Sequence, residues 1–199
     1  MELVIATRNG GKRREFAELA RGLDVKLVSL ETFPNAVDPE ETGLTFQENA
    51  LIKARAAAEA TGLWSLGDDS GLCVDALDGR PGIYSARYAS GTDQARWQKL
   101  LGELAGVSDE RRGAAFVCVL ALCGPGGQSF VAEGRCAGRI GWTPRGEQGF
   151  GYDPVFQVAG DALGRTLAEL SADEKHAISH RGRAFEALRP RLARLVEPG

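Results

Sequence analysis

Two consecutive carboxylates, Asp68 and Asp69, stand in the stretch Gly67-Asp68-Asp69-Ser70-Gly71, between the apolar runs Leu63-Trp64-Ser65-Leu66 and Leu72-Cys73-Val74. The pattern suits an acidic turn at a strand end that holds a hard cation and a water. Burying both charges without a counter-ion is costly, because an isolated buried charge shifts its pKa or recruits a partner. The partner the pattern suggests is Mg²⁺, which takes one or two carboxylates and completes its shell with water and phosphate oxygens. A solvated Asp-Gly turn is the reading these five residues leave open beside it.

Three further polar segments have properties that a phosphate-bearing substrate requires. In Ala6-Thr7-Arg8-Asn9-Gly10-Gly11-Lys12, a loop between strand and helix offers backbone N–H groups, a hydroxyl, an amide and an ammonium. Anions favour such a helix N-terminus. The Walker A spacing is absent, and Arg13 stands where its metal-binding hydroxyl would be, so an ordinary loop remains the alternative. Gly146-Glu147-Gln148-Gly149-Phe150-Gly151-Tyr152-Asp153-Pro154 describes a rigid loop whose two rings could stack on a flat base or plug a core edge. Lys175-His176-Ala177-Ile178-Ser179-His180-Arg181 holds both histidines of the chain beside a lysine and an arginine. Helical spacing puts Lys175 and Ser179 on one face, with His176 and His180 on a neighbouring one.

The elements that must position these segments follow from periodicity. Leu3-Val4-Ile5-Ala6 reads as a short buried strand, followed by the loop Thr7–Gly11 and a helix with Phe16, Leu19, Ala20 and Leu23 on one face. Val25–Leu30 reads as the next strand, and Pro34–Gly43 as an acidic loop. Thr45-Phe46-Gln47-Glu48 has the form of a capping box opening an Ala-rich helix to about Thr61, which Gly62 stops. Asp75–Arg87 is rich in turn residues, and Thr92–Leu104 has helical spacing. Ala114–Cys123 and Gln128–Gly138 read as an antiparallel pair around Gly124-Pro125-Gly126-Gly127. Ser171-Ala172-Asp173-Glu174 opens a further helix, interrupted near Gly182 and ending at about Leu195. The pattern implies an α/β or α+β domain with a mixed sheet.

Composition bounds the function. The chain has 199 residues, 43% of them hydrophobic, enough to bury a core as one domain, residues 1–199, of two lobes. A net charge of −3 argues against a protein that grips nucleic acid by broad phosphate neutralisation. The pairs Arg13-Arg14 and Arg111-Arg112 sit among acids and read as solvated faces. Cys73, Cys118, Cys123 and Cys136 form no metal-ligand pattern and read as reduced. No run approaches the roughly 18 apolar residues that span a bilayer, and no N-terminal signal pattern is present, so the expected location is the cytoplasm, with no membrane partner.

Taken together, the motifs resemble the inosine triphosphate pyrophosphatase family, the non-canonical purine nucleoside triphosphate pyrophosphatases. The resemblance rests on Ala6-Thr7 with Asn9, Lys12 and Glu15; Glu41-Thr42-Gly43 with Phe46, Glu48-Asn49-Ala50 and Lys53-Ala54; Asp68-Asp69-Ser70-Gly71-Leu72; Pro81–Arg87; Phe150-Gly151-Tyr152-Asp153-Pro154; and Ser179-His180-Arg181, in the family's order. It implies an elongated two-lobed α/β fold around a central cleft, a homodimer, and Mg²⁺-dependent hydrolysis of ITP, dITP or XTP to the monophosphate and pyrophosphate. By the same likeness Thr7, Arg8, Asn9, Gly10, Gly11 and Lys12 would hold the triphosphate. Asp69, with Asp68, would be catalytic. Ser70, Phe150, Gly151, Tyr152, Asp153, Lys175, His180 and Arg181 would complete the substrate site. The metal would lie on Asp69 and an upstream glutamate, with Glu41 favoured over Glu40 and Glu48.

The chemistry expected is in-line attack of a water, oriented by Asp69 or Asp68, on the α-phosphorus. Donors from His180, Arg181 or a backbone N–H would donate to the 6-carbonyl of hypoxanthine or xanthine and clash with the 6-amino group of adenine. Rival readings are a Maf-type pyrophosphatase for other nucleotides and a binding module without catalysis, for which Asp68 and Asp69 would have no use.

Overall fold

The computed structural model describes residues 1–196. These form strands β1 (Glu2–Ile5), β2 (Lys26–Ser29), β3 (Trp64–Val74), β4 (Gly113–Cys123), β5 (Ser129–Ile140) and β6 (Phe156–Val158). The helices are α1 (Gly10–Leu19), α2 (Phe46–Thr61), α3 (Asp93–Glu103), α4 (Ala172–Ile178) and α5 (His180–Val196). The sheet has the order β2-β1-β3-β4-β5-β6. It is mixed: β1 runs parallel to β2 and β3, pairing Leu3 with Leu27 and Trp64, while β6 is antiparallel to β5. This is the mixed α/β class that the sequence predicts.

Local signals behave as read at both capping boxes. The Thr45 hydroxyl accepts from Glu48 N while Glu48 caps in return, and α2 ends at Gly62 with φ +70°. Ser171 and Glu174 open α4 in the same way. A third box, Thr166 with Glu169, was not anticipated.

Two readings are corrected. Gly67–Gly71 is no turn between two strands, because β3 runs unbroken through it for 11 residues. Turn-type residues tolerate an extended strand here because their side chains find partners. The break before the last helix falls at Ser179, whose backbone is extended (φ −65°, ψ 151°), ahead of Gly182.

The chain divides into two compact units. The first comprises residues 1–69, 118–134 and the described residues from 181 onward, and the second residues 70–117 and 135–180. In the first, β4 is buried on both faces, and its residues alternate as strand geometry requires. Cys118, Leu120 and Leu122 join Leu3, Ile5, Phe16, Leu66 and Phe185, while Val119, Ala121 and Cys123 meet Ala50, Ala54 and Ala58 of α2. Truncating a ring such as Phe185 in this core would cost about 3–5 kcal/mol.

The second unit packs Leu72, Val74, Leu100, Leu104, Phe116, Ile140, Val155, Phe156 and Leu167 together. It also corrects the reading of Arg112 as a solvated charge. Its side chain is buried, donating from Nε to Ile140 O (2.8 Å), from Nη1 to Leu104 O (2.7 Å) and from Nη2 to Gly141 O (2.9 Å). The guanidinium also lies 4.1 Å from the centre of the Trp142 ring. A planar fork of donors can satisfy several orphan carbonyls at once, which a lysine could not do in the same way. All four cysteines are free thiols.

Candidate active site

Because successive strand residues face opposite ways, β3 sends its two aspartates to different helices of the first unit. Gly67 and Asp69 face α2. A Cβ on Gly67 would lie 2.3 Å from Ala50 O and 2.8 Å from Ala54 N, so only glycine lets strand and helix approach this closely. That approach sets Asp69 beside the polar stripe of α2. Asn49 Nδ2 donates to Asp69 Oδ2 at 3.3 Å, and Lys53 Nζ to Oδ1 at 2.8 Å. Lys53 Nζ also donates to Glu41 Oε1 at 2.9 Å.

Asp68 faces the other way, toward α1 and α5. Lys12 Nζ pairs with its Oδ1, while Arg181 Nε (2.7 Å) and the Cys118 thiol (3.5 Å) donate to its Oδ2. Arg181 Nη1 pairs in turn with Glu15, one turn along α1 from Lys12.

These arrangements give neighbouring aspartates opposite electrostatics. Burial pushes Asp68 upward, but the charges of Arg181 and Lys12 outweigh it and hold the carboxyl well below the usual carboxylate value. For Asp69 burial prevails over Lys53 and Lys12, and its pKa is raised. Burial would lower the Lys53 ammonium, but Asp69 and Glu41 together outweigh it and raise its pKa. One ammonium shared between two carboxylates gains from both. Arg181 is likewise raised, its burial outweighed by Asp68.

Among the described residues no group of three or more His, Cys, Asp or Glu side chains forms a ready-made metal cage. The donor set nonetheless fits a hard cation. Glu41 and Asp69 share the Lys53 ammonium, which brings these two carboxylates to one point. Two hard oxygen ligands with room for water and phosphate is the usual protein share of a Mg²⁺ shell. Of the alternatives, Glu48 caps α2, accepting from Leu44 N (2.7 Å) and Thr45 N (3.2 Å), and Glu40 is exposed. Glu41 is the one linked to Asp69.

The loop before α1 is ordered by its own polar groups. Asn9 caps the helix by accepting from Lys12 N at 3.0 Å, and Thr7 Oγ1 accepts from Asn9 N at 3.2 Å. Gly10 and Gly11 are the first two residues of α1, and Arg8 pairs with Asp38 at 2.8 Å.

The second unit holds the other predicted residues. Asp153 Oδ2 accepts from Phe150 N (3.0 Å) and from Lys175 Nζ (2.8 Å), and that ammonium lies 5.0 Å from the centre of the Phe150 ring. Gly149 has φ +77°, and a Cβ there would lie 2.1 Å from Asp153 Oδ2. Gly151 N donates to Asp93 Oδ2 at 2.7 Å. The Tyr152 ring is buried in the core, with its hydroxyl donating to Ser85 O at 2.8 Å, so Phe150 is the ring left partly exposed. His180 stacks on Phe116, with centroids 4.9 Å apart and planes inclined by 12°. Ser70 is half-buried on β3.

The predicted residues thus fall into two groups, one in each unit, with divisions between Asp69 and Ser70 and between His180 and Arg181. Glu15, Asn49 and Lys53 stood within the motifs, but no role was read for them. Their helical spacing, i to i+3 for Lys12 and Glu15 and i to i+4 for Asn49 and Lys53, was the available signal. Nothing in the sequence marks Cys118, Phe116 or Asp93.

Comparison with known proteins bears on this arrangement. A model of the Ham1 family matches residues 3–191. The chain is 54% identical over 192 residues to a Geobacter sulfurreducens protein named dITP/XTP pyrophosphatase, covering 96% of each. It is 51% identical over 198 residues to a Streptomyces coelicolor protein of the same name, covering 98% of each. Among solved structures, a HAM1 protein from Coxiella burnetii matches with a TM-score of 0.87 at 46% identity, covering 98% of this chain and 99% of that one. With sequence and fold in agreement over nearly the whole length, the chain belongs to the Ham1 family.

Proposed function

We propose that this protein is a Mg²⁺-dependent nucleoside triphosphate pyrophosphohydrolase that converts ITP, dITP and XTP to the monophosphate and pyrophosphate, clearing them from the nucleotide pool. The observation that carries this reading is the pair of adjacent buried aspartates in opposite electrostatic states, in a chain half identical to proteins named for that activity.

The division of labour follows from their partners. Asp68, held ionised by Arg181 and Lys12, keeps those two cations in place. Asp69 has the raised pKa and the less compensated charge, which suit a group that orients a water and takes its proton. Asp69 and Glu41 would hold Mg²⁺, which when bound offsets charge on the triphosphate and activates a water. The N-terminal turn of α1, from Thr7 to Lys12, offers N–H groups and an ammonium to the phosphates.

Phe150 would stack on the purine, with Gly151, Asp153 and Lys175 shaping that pocket and Ser70 beside it. Donors from His180 and Arg181 would meet the 6-carbonyl. Adenine would leave those donors unpaired, a mismatch that discriminates by as much as about 10⁴-fold. The reading carries with it a homodimer acting in the cytoplasm.

The test is pyrophosphate release from ITP, dITP, XTP, ATP, GTP and dTTP, with Mg²⁺ and with EDTA. Metal-dependent release concentrated on ITP, dITP and XTP is the expected outcome. Release mainly from another nucleotide would favour a Maf-like specificity, and no release would leave a binding module.

A further inference from the structure

Asp93 has no part in the chemistry assigned above, yet its carboxylate holds the backbone of the loop that carries Phe150. It is the first residue of α3, following the N-cap Thr92, whose hydroxyl accepts from Ala95 N at 3.2 Å. Its Oδ1 pairs with Arg96, one turn along the helix, and its Oδ2 leaves the helix to accept from Gly151 N at 2.7 Å. That N–H belongs to the peptide between Phe150 and Gly151. Fixing the peptide fixes the torsion that aims the Cα–Cβ bond of Phe150.

The carbonyl side of the same peptide is held from within the loop, Asp153 N donating to Phe150 O at 3.3 Å. Asp153 takes Phe150 N at 3.0 Å, and Ser85 O takes the Tyr152 hydroxyl at 2.8 Å. Asp93 thus ties the loop from a separate helix.

We propose that Asp93 is a specificity-positioning residue, setting the Phe150–Gly151 peptide so that the Phe150 ring meets the purine. This rests on the reading that Phe150 stacks on the base. The plainer role is that of an acid in the first turn of a helix, where negative charge is favoured by the macrodipole. The two make different predictions, because the plainer role concerns stability alone.

The experiment compares Asp93→Ser, Asp93→Asn, Arg96→Gln and Phe150→Ala by steady-state kinetics on ITP and ATP, thermal unfolding, and amide exchange at Gly151. Asp93→Ser keeps a good helix-start residue but cannot reach Gly151. It should raise KM for ITP about tenfold with kcat within about twofold, narrow the ITP/ATP preference and speed Gly151 exchange. Asp93→Asn retains an acceptor oxygen and should restore most of the loss, and Arg96→Gln should keep a near-normal KM.

A wild-type KM in Asp93→Ser, with or without a lower Tm, would overturn the assignment. So would a tenfold raised KM in Asp93→Asn, or a raised KM in Arg96→Gln, and both remain readable if the serine variant does not fold. A raised KM in Phe150→Ala with none in Asp93→Ser would remove only the Asp93 assignment. An unchanged KM in Phe150→Ala would remove the stacking reading beneath it.

Discussion

The carboxylate cluster around β3 in the first unit and the Phe150–Asp153 loop in the second are held in place by different forces. Around Asp68 and Asp69, charged side chains from α1, α2 and α5 neutralise one another inside the fold, so each position is fixed by its partners' charge. In the loop the ion pair of Asp153 with Lys175 is joined by backbone N–H donors, a tyrosine hydroxyl and ring packing. A buried charge network is unforgiving, since removing one member strands the rest. A loop pinned mostly by neutral donors can lose one contact and keep its fold while its aim shifts. The first should therefore govern turnover and stability, the second affinity and choice of base.

Substitutions test that division, the largest effect first. On the proposed reading, Asp69→Asn should lower kcat on ITP by about 10³-fold or more, because it removes the proposed metal ligand and water-orienting base, while the Tm stays near wild type because Lys53 keeps its Glu41 partner. A kcat within tenfold of wild type would break the assignment. Arg181→Met leaves Asp68 and Glu15 buried without their shared cation and should cost about 3–5 kcal/mol in urea unfolding. In contrast, Phe150→Ala should leave stability nearly unchanged and raise KM for ITP, in keeping with base stacking worth about 1–3 kcal/mol. If Phe150→Ala unfolds the protein while Arg181→Met does not, the comparison is inverted.

Titration sharpens the contrast within the charged cluster itself. Followed by carboxyl-carbon NMR in the metal-free protein, Asp69 should titrate above the ordinary aspartate value and Asp68 well below it. The consequences for stability have opposite signs. Asp68, depressed in the folded state, stabilises the fold above its unfolded pKa, and that contribution is lost as pH falls through the folded value. Asp69, raised, favours folding in its protonated form, so acid first relieves its burial before it damages Asp68. A smaller effect belongs to the surface. Arg165 holds the Asp161 carboxyl down to about 2, so Asp161→Asn should destabilise the protein slightly at pH 6. That difference should shrink below pH 4 and vanish near pH 2, as acid unfolding curves of the two proteins would show.

What the sequence made legible was what neighbours in the chain decide. The capping boxes at Thr45 and Ser171, the stop at Gly62 and the buried strand of β4 all depend on residues within a few positions of one another. The errors arose where distant residues override local preference. Gly67–Gly71 has the composition of a turn, yet it runs straight because α2 lies against Gly67 and because cations from three helices receive the aspartates. Arg112 looks solvated beside its acidic neighbours, yet carbonyls at the ends of α3 and β5 draw it inside. Asp68 and Asp69 were identified, but their opposite electrostatic states depend on which helix each one faces. Asp93 was invisible for the same reason, since its partner lies 58 positions away.

Gly67 has a consequence of its own. Every other amino acid begins with a carbon that would strike the backbone of α2 at Ala50 and Ala54, so a replacement must push the helix outward and carry Asn49 and Lys53 away from Asp69. Variation cannot tune this position by degrees. A lineage that experiments with the chemistry at Asp69 must do so through the residues around the aspartate, because the hinge point beneath it admits a single letter.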